Sequence, residues 1–204
     1  MAKFAIATLY MPNYNYLAEL VNPNKESYCN QHGYNYLKKK DGFSYLGFDK
    51  IRFLRENIEN YEWIWWQDLD SIVTNPQIRI EDIIDSSSDL IISYDRCGIN
   101  AGSFLIRNSE NGKQILDFIL SKEEVYKNNV WQEQQVIIDN ISNFAGVKIV
   151  DQKAINSYLN WHYGDPRDAP GTWTEGDVLL HLPGMTLNDR INYIKQFYNA
   201  KTRN

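Results

Sequence analysis

The segment Trp65-Trp66-Gln67-Asp68-Leu69-Asp70-Ser71 is an apolar run that ends in two carboxylates separated by one residue. Where an extended chain ends, side chains two residues apart can turn to the same rim, and two carboxylates there repel unless a cation sits between them. Mg²⁺ or Mn²⁺ suits such oxygen ligands and leaves positions for phosphate oxygens. The plainer alternative is a turn in which one Asp caps the backbone and the other is solvated. His181 stands in Leu179-Leu180-His181-Leu182-Pro183-Gly184, again at the exit of an apolar run and before a turn. A neutral imidazole there can ligate the same ion, or hydrogen-bond to a loop carbonyl. Asn100-Ala101-Gly102 precedes a predicted strand, and its small residues suit close approach of a polar ligand to backbone, or an ordinary loop. Glu133 and Gln134, in Trp131-Gln132-Glu133-Gln134-Gln135, open a predicted helix, where an acidic side chain also complements the helix dipole.

The charge balance makes a metal useful. Lys and Arg number 21 and Asp and Glu 26, a net charge of −5, so no general basic field exists to hold a polyanion and no nucleic-acid partner is expected. A small anion needs a local device such as a divalent ion. Aromatic residues are 14% of the chain, with 14 Tyr and 6 Trp, which serve either as core or as flat faces for sugar rings and nucleobases. Two cysteines, Cys29 and Cys97, do not make a disulfide framework and read as reduced thiols. No apolar run reaches transmembrane length, and the N-terminal residues read as a strand rather than a signal peptide. A cytoplasmic protein with no signal peptide, anchor or transmembrane segment is the expectation.

These side chains need a frame. No linker, repeat or low-complexity tract divides the chain, so residues 1–204 are expected to form a single domain. Strands are predicted at 3–10, 34–38, 62–67, 88–94, 102–107, 147–150 and 178–181. Helical spacing marks 13–32, stopped by Gly33, and 48–60, with Phe48, Ile51, Leu54 and Ile58 on one face. Further helices are predicted from an N-cap at Ser109 to about Ser121, over 131–141, and from Leu187 onward, with Ile191, Ile194 and Phe197 together. The order predicts an α/β fold, a three-layer α/β/α sandwich with a mostly parallel central sheet. Ligands in such sheets lie beyond the carboxyl ends of the strands, which directs attention to Tyr10, Asp68, Asp70, Asp95 and His181.

Taken in order, WIWWQDLDSIVTNPQI, NAGSFLIRNSENGKQILDFI, WQEQQVI, QKAINSY and HLPG resemble the galactosyl/mannosyl/xylosyl-transferase family GT34. The earlier segment from Asn24 to Tyr34, with Tyr28-Cys29 and His32-Gly33, fits the same family, and the likeness covers about residues 3–185. The resemblance implies a GT-A fold and a retaining, metal-dependent glycosyltransferase. By position it makes Asp68 and Asp70 the D-x-D that binds Mn²⁺ (or Mg²⁺) and the nucleotide diphosphate, with His181 the third metal ligand. Thr8 and Tyr10 match the place of base and ribose, and Lys50 a lysine beside the nucleotide. Asn100 and Gly102 match a segment near the donor sugar, and Glu133 and Gln134 a pair beside the anomeric carbon. The implied partners are a UDP- or GDP-sugar donor and a glycan or other hydroxyl acceptor. Family members often carry a basic residue shortly after H-x-x-G; here Met185 and Thr186 follow, and Arg190 is the next cation. The aromatic, turn-rich segment 161–173 is a candidate acceptor loop.

Two other classes compete. A haloacid-dehalogenase-like phosphatase would use Asp68 as nucleophile, but its late acidic pair is matched only by Gly164-Asp165-Pro166-Arg167-Asp168, one residue short. A catalytically inactive carbohydrate- or nucleotide-binding protein would keep the aromatic surface without turnover; the intact Asp68, Asp70 and His181 argue against it.

Overall fold

The computed structural model describes residues 3–159 and 170–201. Nine strands occur among them: β1 (Phe4–Tyr10), β2 (Asn35–Lys40), β3 (Trp63–Gln67), β4 (Ser71–Val73), β5 (Leu90–Asp95), β6 (Gly98–Arg107), β7 (Val147–Val150), β8 (Ser157–Tyr158) and β9 (Leu179–His181). The helices are α1 (Asn15–His32), α2 (Leu46–Asn57), α3 (Ile80–Ile83), α4 (Glu110–Ser121), α5 (Glu123–Tyr126), α6 (Gln132–Asn140), α7 (Gln152–Ile155) and α8 (Leu187–Lys201). Six strands form the central sheet in the order β2-β1-β3-β6-β5-β7. Within it β6 alone runs against its neighbours, so the sheet is mostly parallel, as predicted.

Alternation along the strands builds a core on each face. Ala5, Ala7, Ile64, Trp66, Phe104 and Ile106 pack against Phe48, Ile51 and Leu54 of α2, Ile115 and Leu116 of α4, and Val136 of α6. Phe4, Ile6, Trp63, Trp65, Ile91 and Leu105 face the other way, toward Tyr28 and Cys29 of α1 and Leu179 of β9. Helix α1 presents Leu17, Ala18, Val21, Lys25 and Tyr28 on its buried side, and Gly33, at φ 70°, ends it in a left-handed cap. Beyond α1 a further cluster joins Leu17, Val21, Ile72, Leu180 and Leu182 to Ile194 of α8.

Two features depart from the sequence-based expectation. The strand predicted at 178–181 joins no part of the central sheet; β9 pairs with β4 and β8 in a second, three-stranded sheet. Strands of two and three residues are too short to announce themselves by periodicity. Asn100 lies inside β6, which begins four residues before the predicted strand at 102–107, because β5 and β6 close as a hairpin with Asp95 opposite Gly98. Helix α1 matches the predicted segment and runs through Pro23 at the cost of one backbone donor. The candidate acceptor loop at 161–173 lies mostly outside the described residues. No helix among the described residues is long and apolar enough to cross a membrane.

Candidate active site

A cleft of about 580 Å³ opens beyond the carboxyl ends of β1 and β3. Its floor is the turn from Asp68 to Ser71, which leads out of the central sheet into the second one. Backbone bonds pin that turn on both sides: Asp68 N donates to Gly102 O at 2.8 Å, and Leu182 N donates to Asp70 O at 2.9 Å. The indole of Trp66 donates to Asp68 Oδ1 at 2.7 Å, and the Ser71 hydroxyl to Asp68 O at 2.7 Å. The two carboxylates are therefore aimed by strand register and not by chance of a loop.

His181, the last residue of β9, comes to them from the second sheet, where it pairs with Ser71. Its Nε2 lies 3.4 Å from Asp70 Oδ1 and 4.0 Å from Asp68 Oδ2. One ligand atom each from Asp68, Asp70 and His181 lie within 4.8 Å of one another, so the three can hold a metal ion. Two hard carboxylate oxygens and one imidazole nitrogen fit Mn²⁺ or Mg²⁺ better than a soft ion. Burial alone would raise the Asp70 carboxyl, but His181 and Arg190 beside it outweigh that and hold it down at about 2. Arg190, on α8, reaches Asp70 Oδ2 at 2.9 Å and lines the cleft, so the cation following His181 in sequence does enter the site.

Gly102 also lines the cleft, and its missing side chain has an occupant. A Cβ there would stand 2.2 Å from His181 Cε1 and 2.9 Å from Asn100 Oδ1. The close approach that the small residue permits is thus that of the imidazole. Asn100 is buried and hydrogen-bonded within the protein: its Oδ1 accepts from Gly102 N at 2.8 Å and from Asn156 Nδ2 at 3.0 Å.

On the opposite wall Lys50 and Glu133 form a buried pair, Nζ to Oε1 2.6 Å, with Asp68 Oδ1 3.4 Å away and the Ala101 carbonyl at 2.9 Å. Burial opposes the Lys50 charge, but the Asp68 and Glu133 carboxylates prevail and raise its pKa above that of an ordinary lysine. Gly47 leaves room for the Glu133 carboxylate, which a Cβ would meet at 1.6 Å. Gln134 Oε1 accepts from Ala101 N at 2.9 Å, which fixes the amide at the cleft wall. Tyr10 lines the cleft at the end of β1. Thr8 does not: it is fully buried on the α1 side of the sheet, and its hydroxyl donates to the Gln67 carbonyl. Tyr10 shares that face but stands at the end of β1, whereas Thr8 lies within the strand ladder, opposite Lys38.

Sequence reasoning missed Lys25 and Asn156. Lys25 is wholly buried beneath the acidic turn, and its ammonium donates to Asp68 O at 2.8 Å and, at 3.5 Å, to Gln67 O. Desolvation lowers its pKa to about 7 despite the nearby Asp70 and Asp68. The signal was legible, because Leu17, Val21, Lys25 and Cys29 fall four apart on an otherwise apolar stripe. Asn156 falls within QKAINSY, one of the segments that carries the family resemblance, but no periodicity singles it out.

Comparison with known proteins places this geometry. The model of the galactosyl transferase GMA12/MNN10 family matches residues 6–88 and 83–191. An uncharacterized alpha-1,2-galactosyltransferase of Schizosaccharomyces pombe is 28% identical, over 79% of this chain and 54% of its own length. An alpha-1,2-galactosyltransferase of the same yeast is 27% identical, over 82% of this chain and 56% of its own. The chain thus spans about half the length of these relatives. Among solved structures, a glycosyltransferase involved in glycosylation of the major capsid of PBCV-1 superposes with a TM-score of 0.77 at 19% identity, covering 95% of this chain and 98% of that one. That likeness shows the fold, the GT-A type.

Two outcomes follow from these contacts. Gly102→Ala should push the imidazole aside, weakening Mn²⁺ binding by roughly tenfold or more in calorimetry while costing about 1–3 kcal/mol of stability; unchanged Mn²⁺ affinity would place His181 outside the metal site. Lys25 binds its proton less readily folded (about 7) than unfolded (about 10.4). Between those values the unfolded chain holds more protons, so stability should rise with pH across that window. Lys25→Met should remove that rise and melt no lower than wild type at pH 7. Parallel pH profiles from urea unfolding would contradict this.

Proposed function

The chain belongs to the galactosyl transferase GMA12/MNN10 family, and on that basis we propose that its cleft transfers a hexosyl or pentosyl group from a UDP- or GDP-sugar to a hydroxyl of a glycan or similar acceptor, with retention of configuration. The observation that carries this reading is the convergence of Asp68, Asp70 and His181 at the carboxyl end of β3, within a cleft large enough for a nucleotide sugar. Mn²⁺ or Mg²⁺ would be held by these three side chains, and when bound it supplies Lewis-acid neutralisation of diphosphate oxygens.

The chain's own residues account for the rest. Arg190 adds a fixed positive charge on the side where the diphosphate would leave, in the role of the basic residue absent after Gly184. Tyr10 offers an aromatic face at the end of β1 for base or ribose. Glu133, paired with Lys50 at the cleft wall, would set its carboxylate oxygens toward positive charge growing on the anomeric carbon. Its pairing at 2.6 Å makes it a poor free nucleophile. Gln134, whose amide oxygen is held by Ala101 N at the cleft wall, would use its amide nitrogen on the sugar. This favours front-face attack: the acceptor oxygen bonds the anomeric carbon as the carbon–phosphate oxygen bond breaks, and the acceptor proton passes to the leaving phosphate oxygen.

A panel of UDP- and GDP-sugars with Mn²⁺, scored for slow donor hydrolysis without acceptor, tests the reading. One donor should be turned over, and both chelation and Asp70→Asn should abolish the turnover while the fold is kept. Phosphate release from p-nitrophenyl phosphate with no donor turnover would replace this reading with the phosphatase, and nucleotide binding without turnover would replace it with the inactive binding protein.

A further inference from the structure

His181 can serve a metal ion only with its proton on Nδ1, leaving the Nε2 lone pair toward the carboxylates. Left to itself the ring has reason to do the opposite. Its Nε2 faces Asp70 Oδ1 at 3.4 Å and Asp68 Oδ2 at 4.0 Å, and both oxygens would accept a proton placed there. Something on the other side of the ring must oppose that.

On that side His181 Nδ1 lies 2.8 Å from Asn156 Oδ1. Asn156 is fully buried, and its Nδ2 is 3.0 Å from Asn100 Oδ1. Asn100 Nδ2 in turn lies 3.0 Å from Asp95 Oδ2, which also accepts from the Tyr158 hydroxyl at 2.9 Å. The direction of every bond follows from the ends. A carboxylate oxygen only accepts, so Asn100 must turn its NH₂ to Asp95. The backbone N–H of Gly102 only donates, so it selects the same orientation by facing Asn100 Oδ1 at 2.8 Å. That oxygen then requires the NH₂ of Asn156, which leaves the Asn156 carbonyl for His181. A carbonyl accepts, so Nδ1 must carry the hydrogen. Tyr158 packs edge-on to the imidazole at 5.4 Å, which holds the ring plane as well.

We propose that Asn156 is a positioning residue: oriented through Asn100 by Asp95, it locks His181 in the Nδ1–H form and so keeps Nε2 available to the metal. This rests on the metal-dependent reading of the cleft, but the lock itself is a property of the protein alone. Asn156, which the reaction never touches, thereby sets the metal affinity.

The test is nitrogen-15 NMR of the histidine ring at pH 8 in the full chain without metal or nucleotide, followed by Mn²⁺ calorimetry. Wild type should show Nδ1 protonated and Nε2 bare. Asn156→Leu should shift the neutral ring toward Nε2–H and weaken Mn²⁺ binding roughly 10–100-fold. Asp95→Asn, which loosens one end of the chain while the Gly102 N–H still orients Asn100, should keep the Nδ1–H form and lose less Mn²⁺ affinity than Asn156→Leu. Wild type with Nε2 protonated would overturn the proposal on its own, whether or not the variants fold. So would Asn156→Leu that retains Nδ1–H, or that loses it with no change in Mn²⁺ affinity; donor hydrolysis by wild type would in that event still stand, separating this failure from that of the glycosyltransferase reading.

Discussion

Two acidic residues are held face to face with an imidazole because one turn is bonded into two sheets at once. The amide of Asp68 is spent on Gly102 in the central sheet, and the carbonyl of Asp70 on Leu182 beyond the second sheet. With the backbone fixed at both ends, the carboxylates cannot relieve their repulsion by moving apart. The remaining remedy is positive charge brought to them, and the rest of the cleft supplies it. Lys50 approaches from α2, Arg190 from α8, and Lys25 from beneath through α1. A buried ammonium bonded only to carbonyls, as among the contacts of Lys25, is costly to stability. Its place directly under the acidic turn fits a frame built for the charge of the site rather than for maximal stability.

The same frame explains why the cleft wall bearing Lys50 and Glu133 is closely packed. Glu133 and Lys50 neutralise each other in a buried pair, and Gly47 and Gly102 are small because a carboxylate and an imidazole fill the space beside them. The polar groups around His181 are paired in a continuous chain, each bond determining the next. Such a chain would hold the imidazole ready for an ion rather than leave it to reorient on binding.

The central sheet was legible in the sequence because its strands are apolar and bounded by turns, as in FAIATLY and WIWWQ, and because α2 carries a clear helical period and α4 opens on the Ser109 N-cap. Asp68, Asp70 and His181 were legible because all three stand at the exit of an apolar run, WIWWQ or VLL. The second sheet was not, since β4 and β8 offer two or three residues each and no period. Thr8 was misplaced toward the cleft for want of the register that turns it to the Gln67 carbonyl. Asn156 was hidden for a different reason. Its role depends on hydrogen-bond direction relayed from Asp95, 61 positions away in the chain (156 − 95), and no local pattern encodes that.

The claim that Asp68, Asp70 and His181 together hold the ion is tested most directly by pulsed electron spin resonance of Mn²⁺ bound in the presence of UDP. The wild-type spectrum should carry the nitrogen-14 modulation of a single coordinated imidazole, and His181→Ala should lose it while Mn²⁺ remains detectable on the carboxylates. Absence of that modulation in wild type, or its persistence in the variant, would contradict the assignment of the metal to these three residues.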